Sequence, residues 1–212
     1  MNLEDAIKNR RAARSFRPDP LPEGQLEEIL NLALYSPSGF NLQPWRFIVV
    51  QDAANQEKLR ACAFDQRQVT EAPVVLICCG DRRATESENI EAMIALGEAE
   101  GAVNEAYANN MRSMIPQMIA NQPNFDSLQV WTNRHVMLAV AHIMIVAQGM
   151  GIDSCPMEGF VASQVKSQFN IPDSVDVCCL LCLGYAKDPY KQYGGRFGLD
   201  QVCYSEAYGM SF

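Results

Sequence analysis

The run Val74-Val75-Leu76-Ile77-Cys78-Cys79 sets the tightest limit on what this chain can fold into. Its apolar residues follow one another without a polar alternation, so a strand here is buried on both faces and belongs at the centre of a sheet. A shorter strand is predicted at Trp45–Val50, bounded by the polar pair Gln51-Asp52, and another over 175–183. Helices are expected near the N-terminus (Leu3, Ala6 and Ile7 as its apolar marks) and from Glu23 into Leu34, where Ile29, Leu30, Leu32 and Ala33 make an apolar face. More are expected over 53–63, 136–149 and 162–169. The apolar segment 136–152 carries His142 and Gln148 and is short for a membrane span, so it reads as a buried helix. Gly149-Met150-Gly151 follows a helix and precedes a strand, the reverse of a dinucleotide fingerprint, and is a helix C-terminal signal.

Residues 82–130 differ in character. Glutamates dominate up to Glu105, Gly97 and Gly101 weaken the run, and Met111, Met114, Ile115 and Met118 then form a stripe at helical spacing that Pro123 ends. The stripe is either ordinary core packing or an adaptable lid over a pocket. The Gly-, Tyr- and Pro-rich tail, 184–212, holds Arg196 and a last strand over Gln201-Val202-Cys203-Tyr204, and a tail with so little core of its own suits embracing a second subunit. No repeat or linker divides the 212 residues, and a single domain over 1–212 is expected.

Composition narrows the function. Net charge of −8 argues against nucleic acid as the main partner. Met1-Asn2-Leu3-Glu4-Asp5 has no secretory character, so a cytoplasmic protein with reduced thiols is expected. Neighbouring residues of a strand face opposite ways, which separates Cys78 from Cys79 and Cys178 from Cys179; it also separates Cys179 from Cys182 despite their redox-motif spacing. His135 and His142 stand about 10 Å apart on one helix, too far to share an ion, and no metal site is expected.

Two features carry candidate chemistry. The first is Ser36-Pro37-Ser38-Gly39-Phe40-Asn41-Leu42-Gln43-Pro44-Trp45, between a helix that Pro37 ends and the Trp45–Val50 strand. Its short polar groups and free amide donors suit gripping a flat polar ligand by its edge; the other reading is an ordinary turn built from turn formers. The second is Lys8, Arg10, Arg11, Arg14 and Arg17. In helical conformation Arg10, Arg11 and Arg14 share a face, and if the chain leaves the helix near Ala13 they still converge. Such a cluster is a solvated face, a polybasic address or an anion site, arginine forks being suited to phosphate.

These pieces occur together with Ala72-Pro73-Val74-Val75 and Cys155-Pro156-Met157-Glu158-Gly159-Phe160. As a set they resemble the nitroreductase family of FMN-dependent NAD(P)H oxidoreductases, from Ile7 to about Tyr204 and least between Arg82 and Val130. The resemblance implies an α+β fold, with a mixed central β-sheet wrapped by helices and residues 82–130 as a helical excursion or lid. It also implies a homodimer that exchanges C-terminal segments and holds FMN at each subunit interface. Carried over by motif, Arg10, Arg11, Arg14 and Arg196 would hold the FMN phosphate. Pro37, Ser38, Gly39 and Asn41 would approach the flavin from the partner chain, and Gln66 would hydrogen-bond the ring edge. The backbone of Pro156, Met157, Glu158 and Gly159 would lie along the ring, with an N–H beside Glu158 near flavin N5.

The implied activity is ping-pong: NADH or NADPH first, then an electron-poor nitroaromatic, quinone or free flavin. Flavin carries the electrons itself, so no catalytic side-chain set is needed, and none is evident. Ala12 stands where the family often has a hydroxyl residue, and Gly194 where a lysine commonly precedes the late arginine by two. Phosphate binding therefore leans on the N-terminal arginines. The competing readings are a flavin-binding module without turnover, a relative doing dehalogenation or flavin fragmentation, and nucleic-acid binding through residues 8–17.

Overall fold

Every residue of the strand Val74–Asp81 is buried, and both its edges are paired, as a central strand requires. The computed structural model describes residues 1–121, 125–187 and 194–212. In chain order they form α1 (Leu3–Asn9), β1 (Phe16–Arg17), α2 (Gln25–Ala33), β2 (Trp45–Val50), α3 (Ala53–Cys62), α4 (Gln68–Glu71), β3 (Val74–Asp81) and α5 (Ser87–Ala99). There follow α6 (Glu105–Asn121), α7 (Leu128–Gly149), β4 (Asp153–Met157), α8 (Ala162–Gln168), β5 (Val175–Ala186) and α9 (Leu199–Val202). β3 lies between β2 (Val50 opposite Val75) and β5 (Val74 opposite Leu183), while β5 also pairs with β4 and, at its end, with β1. These pairings are antiparallel; the parallel component of the sheet is the bridge between Ala12 and Ser154.

Alternation along β3 sorts the core into two layers. Val74, Leu76 and Cys78 pack with α2 and α7, whereas Val75, Ile77 and Cys79 pack with α3, α4 and α8. By length and composition α7 could cross a membrane. It lies on the sheet instead, with Val136, Val140 and Ile143 fully buried, each contributing about 1.5–3 kcal/mol through burial. It starts earlier than the sequence suggested because Ser127 accepts the Val130 N–H as an N-cap.

A third, smaller cluster stands apart: Leu42, Ile90 and Ile94, Met111 and Ile115, and Trp131, contributed by the central loop, α5, α6 and α7. The methionine stripe is split. Met111 and Ile115 face this cluster and Met118 packs at its margin, while Met114 is exposed. Pro116 lies inside α6, and Pro123, expected to end the stripe, lies outside the described residues.

Several local expectations are corrected. Cys178 and Cys179 do not face opposite ways: a β-bulge between Cys78 and Cys79 skips Cys178, which joins Cys179 on the α7 side, beside the Asn133 carbonyl. Residues 201–204 are not a strand, because the Gln201 side chain accepts the Gly198 N–H and closes the turn of α9; Tyr204 makes a bridge to Ser211. α2 begins at Gln25 behind Gly24, whose φ is 77°, and ends before Pro37, with Ser36 Oγ donating to the Ala33 carbonyl. The polar segment after α3 contains the short helix α4. The eight cysteines are free thiols.

Candidate functional site

The central loop is held in a conformation that side chains rarely adopt. Phe40, Asn41 and Gln43 have φ of 51°, 54° and 46°, and such residues persist only where their surroundings over-determine them. Leu42 is the hydrophobic anchor, fully buried in the third cluster. Ser38 organises the polar side: its carbonyl accepts the Asn41 N–H and its Oγ accepts the Gln43 N–H at 3.0 Å. Two histidines of α7 grip the loop from below. His135 Nε2 accepts the Gly39 N–H at 3.0 Å while Nδ1 bonds the Trp131 carbonyl at 2.8 Å, and His142 Nδ1 lies 2.6 Å from Ser36 Oγ. A Cβ on Gly39 would stand 3.3 Å from the Trp131 ring, so the bare glycine lets the loop lie this close to α7. Pro37 and Asn41 are exposed at the tip.

The arginines do not share a helical face. α1 stops at Asn9, Arg10 leaves with extended ψ, and the chain is drawn into the sheet edge, where Ala13 N–H donates to the Ser154 carbonyl. Arg10, Arg11 and Arg196 nevertheless converge, lining one open pocket with Lys8 and Ile7. Lys8 pairs with Glu4, and Arg17 with Asp19 and the Tyr185 ring, so these two cations are committed elsewhere. Arg11 is oriented by donating to the Lys8 and Arg10 carbonyls. The Arg14 guanidinium is exposed, faces no acceptor among the described residues, and lies close enough to Cys155 to oppose the upward push that burial gives that thiol.

The same bridge sets the arginine segment beside β4, whose end is the Pro156-Met157-Glu158-Gly159 loop. Met157 points into the core, 3.6 Å from the Cys182 sulfur, which fixes the strand. Glu158 and Gly159 are exposed, and their N–H groups meet no acceptor among the described residues. Gln66 braces this loop: its amide donates to the Ala63 carbonyl at 3.0 Å and the Gly159 carbonyl at 2.7 Å, and its Oε1 accepts from Gln68. A Cβ at Gly159 would stand 2.9 Å from that amide nitrogen.

The residues therefore assemble in three groups. Arg14, Gln66 and residues 156–159 lie by the sheet layer of α3 and α8, next to Ala13 and Met157 of its core, while Arg10, Arg11 and Arg196 line their pocket at the end of α1, which packs on α7. Pro37, Ser38, Gly39 and Asn41 are held by α7 on the opposite layer. Sequence reasoning missed the loop's anchors. His135 and His142 had been weighed as metal ligands, yet two histidines on one face of a buried helix, too far apart for an ion, must find other polar partners.

The model for the nitroreductase family matches residues 7–185. A Thermus thermophilus protein named NADH dehydrogenase is 32% identical over 203 residues, covering 95% of each chain. The structure of a nitroreductase-like protein from Streptococcus mutans superposes with a TM-score of 0.84 at 27% identity, covering 93% of this chain and 95% of that one. A protein of Exiguobacterium sibiricum solved in complex with FMN shares the fold, with a TM-score of 0.82 at 23% identity over 95% of this chain and 96% of that one. A family match running from the end of α1 to the last residues of β5, joined to a full-length relative at that identity, places this chain in the nitroreductase family.

Proposed function

We propose that the chain is an FMN-dependent NAD(P)H oxidoreductase that reduces electron-poor acceptors such as nitroaromatics and quinones by a ping-pong route. The observation that carries this reading is the convergence of Arg10, Arg11 and Arg196 on one pocket, next to a strand whose end leaves two N–H donors without acceptors among the described residues. A phosphate dianion is costly to take from water unless charge is paired with it, and these guanidinium groups supply permanent charge and forked donors. Arg14 adds an exposed fourth on the same segment.

The remaining residues fit the ring. The Glu158 and Gly159 N–H groups would donate to the flavin edge, held in place by Gln66, whose Oε1 keeps a lone pair to accept from a ring N–H. Pro37, Ser38, Gly39 and Asn41 would close the site from a second copy of the chain. The tail supports this: its Phe197, Leu199, Tyr208, Met210 and Phe212 side chains are exposed. FMN, when bound, supplies the two-electron chemistry; the protein positions it and leaves one face open to donor and acceptor in turn. The relatives agree in kind: one carries FMN, another is named for NADH.

The test is a visible spectrum of the purified protein before and after anaerobic NADH or NADPH, followed by nitrofurazone or menadione. Bleaching and return of a flavin spectrum is the expected result. A protein that neither carries nor takes up FMN would refute the cofactor, and a flavin that neither nucleotide bleaches would leave a binding module.

A further inference from the structure

A cavity of about 540 Å³ opens between α3 and α8, on the side of the sheet away from α7, within the size range of small-molecule sites. We propose that it binds a small polyhydroxylated monoanion, such as a sugar acid, and that its occupant is coupled to the flavin loop; the coupling rests on the oxidoreductase reading above, the binding does not. Four neutral side chains of α8 line it. Ser163 and Ser167 stand four residues apart, as do Gln164 and Gln168, so they form two adjacent rows. None of the four side chains meets a hydrogen-bond partner among the described residues. Hydroxyls and amides both donate and accept, which is what a series of ligand hydroxyls requires. The charge comes from α3, where Lys58 Nζ donates to Asn55 Oδ1 at 3.0 Å and keeps two protons for a ligand. Cys62, one turn further on, is 4% exposed, and its thiol has no partner among the described residues. The bottom of the cavity is therefore a buried, neutral S–H. No carboxylate lines the cavity among the described residues, and one ammonium balances one negative charge. A phosphate dianion would give up its water for too little counter-charge, and a neutral polyol forgoes the charge-assisted bond.

The cavity ends where the proposed flavin loop begins. The Cys62 carbonyl accepts the Val161 N–H at 2.8 Å, which fastens the end of α3 to the start of α8. The Gln66 amide spans the same junction, from the Ala63 carbonyl to the Gly159 carbonyl. Ala63 follows Cys62, and Gly159 stands two residues before Val161. A shift of α3 against α8 therefore alters the span that Gln66 bridges. A ligand held by Lys58 on one helix and the serines on the other fixes the spacing of the two, and so bears on the brace behind the Glu158 and Gly159 N–H groups. By linkage, FMN must change the affinity for the anion by the factor with which the anion changes the affinity for FMN.

Titration calorimetry reads both halves, with D-gluconate, sorbitol and acetate added to flavin-free and to FMN-loaded protein. Gluconate should bind saturably, and about tenfold more tightly than sorbitol, which lacks the charge, or acetate, which lacks the hydroxyls. Lys58→Gln should bring gluconate down to the sorbitol level and leave sorbitol unchanged, while the double variant Ser163→Ala, Ser167→Ala should weaken both. These three positions are exposed, so the urea midpoint of each variant should match the wild type. Gluconate affinity should differ by about threefold or more between flavin-free and FMN-loaded protein. Absence of saturable gluconate binding, acetate binding as tightly as gluconate, or indifference to Lys58→Gln overturns the site. Equal gluconate affinities with and without FMN overturn the coupling. If the protein takes up no FMN, the oxidoreductase reading and the coupling fall together, and the flavin-free titration still decides the cavity.

Discussion

Acid should loosen the central loop through one side chain, His135. Its Nδ1 proton is given to the Trp131 carbonyl, so the neutral ring presents a bare Nε2 to the Gly39 N–H. A proton added to Nε2 sets donor against donor. Burial pushes the His135 imidazole below its ordinary 6.5; the Trp131 carbonyl opposes that push and Arg134 adds to it. Between 6.5 and the lowered value the unfolded chain binds a proton that the folded chain refuses. The contribution of His135 is therefore complete above about pH 6.5, declines as pH falls through that interval, and levels off below the folded value. No titratable side chain lies in the facing loop, residues 36–45, so burial sets the shift and Arg134 is the neighbouring charge that adds to it.

Leaving the Gly39 N–H without an acceptor should cost about 1–3 kcal/mol, a sizeable share of a typical domain stability of about 5–15 kcal/mol. With a urea slope of about 2–3 kcal/mol per molar, the midpoint should fall by roughly 0.5–1 M. Trp45 and Trp131 flank the loop and report its unfolding. His135→Gln keeps an acceptor within reach of Gly39 and cannot titrate, so the comparison is wild type against that variant at pH 7.5 and pH 5. The wild type should lose more stability on acidification. Parallel losses in the two proteins would refute the argument, because shared carboxylate titration would then explain everything.

Arg14→Glu should weaken FMN binding about ten- to a hundredfold, from a charged hydrogen bond of about 1.5–3 kcal/mol, with unchanged circular dichroism; full flavin occupancy in the variant would contradict the phosphate assignment. Gly97→Ala should destabilise the excursion by about 1–3 kcal/mol, since its Cβ would fall 2.3 Å from Val103 Cγ2; hydrogen exchange confined to α5 and α6 would report it, and unchanged protection there would count against it. Gly159→Ala should displace the Gln66 brace and lower FMN affinity without shifting the urea midpoint by more than about 0.5 M, the check being flavin titration beside unfolding. Native thiol labelling at pH 8 should find Cys203 alone. Burial pushes Cys79 up to about 12 and Cys182 well above its usual value, and hydrogen bonding to Cys179 raises Cys178. A second fast thiol would show that the core opens.

How far the sequence could be read follows from the range of the forces involved. β2, β3, α3 and α8 were legible to within a residue or two because period, proline and polar boundaries are local signals. The Pro156–Gly159 and Ser36–Trp45 stretches were legible as motifs, yet what holds them was not. The grip of His135 on Gly39 spans 96 residues and that of Gln66 on Gly159 spans 93. The arginine helix face failed because a long-range bridge, Ala12 to Ser154, competed with helix continuation at Arg10 and won. The bulge at Cys178 was invisible for a related reason: it exists only relative to the partner strand. The last strand failed locally, where β-favouring Val202 and Tyr204 were outweighed by one side-chain contact, Gln201 to Gly198.

The three hydrophobic clusters divide the work of the molecule. The arginine segment, Gln66 and the Glu158–Gly159 donors rest on the layer of α3 and α8. There Ala13, Phe16, Cys155 and Met157 are core residues, so an error in packing is an error in the proposed phosphate grip. A cavity of about 410 Å³ between the central loop and α5–α6, lined by Met93, Tyr107 and Met111 among others, belongs to the third cluster, which meets the sheet through the loop and α7 rather than through β3 or β5. Substitutions at Met93 or Tyr107 can then reshape the cavity at little cost to the strands, because interaction energies fade between sites that share no partners. The loop couples the two regions: Leu42 is buried with the excursion, while Gly39 and Ser36 are fixed to α7. A change of acceptor range that also disturbed flavin affinity should therefore trace to residues 36–43, and one that left it untouched to α5 and α6.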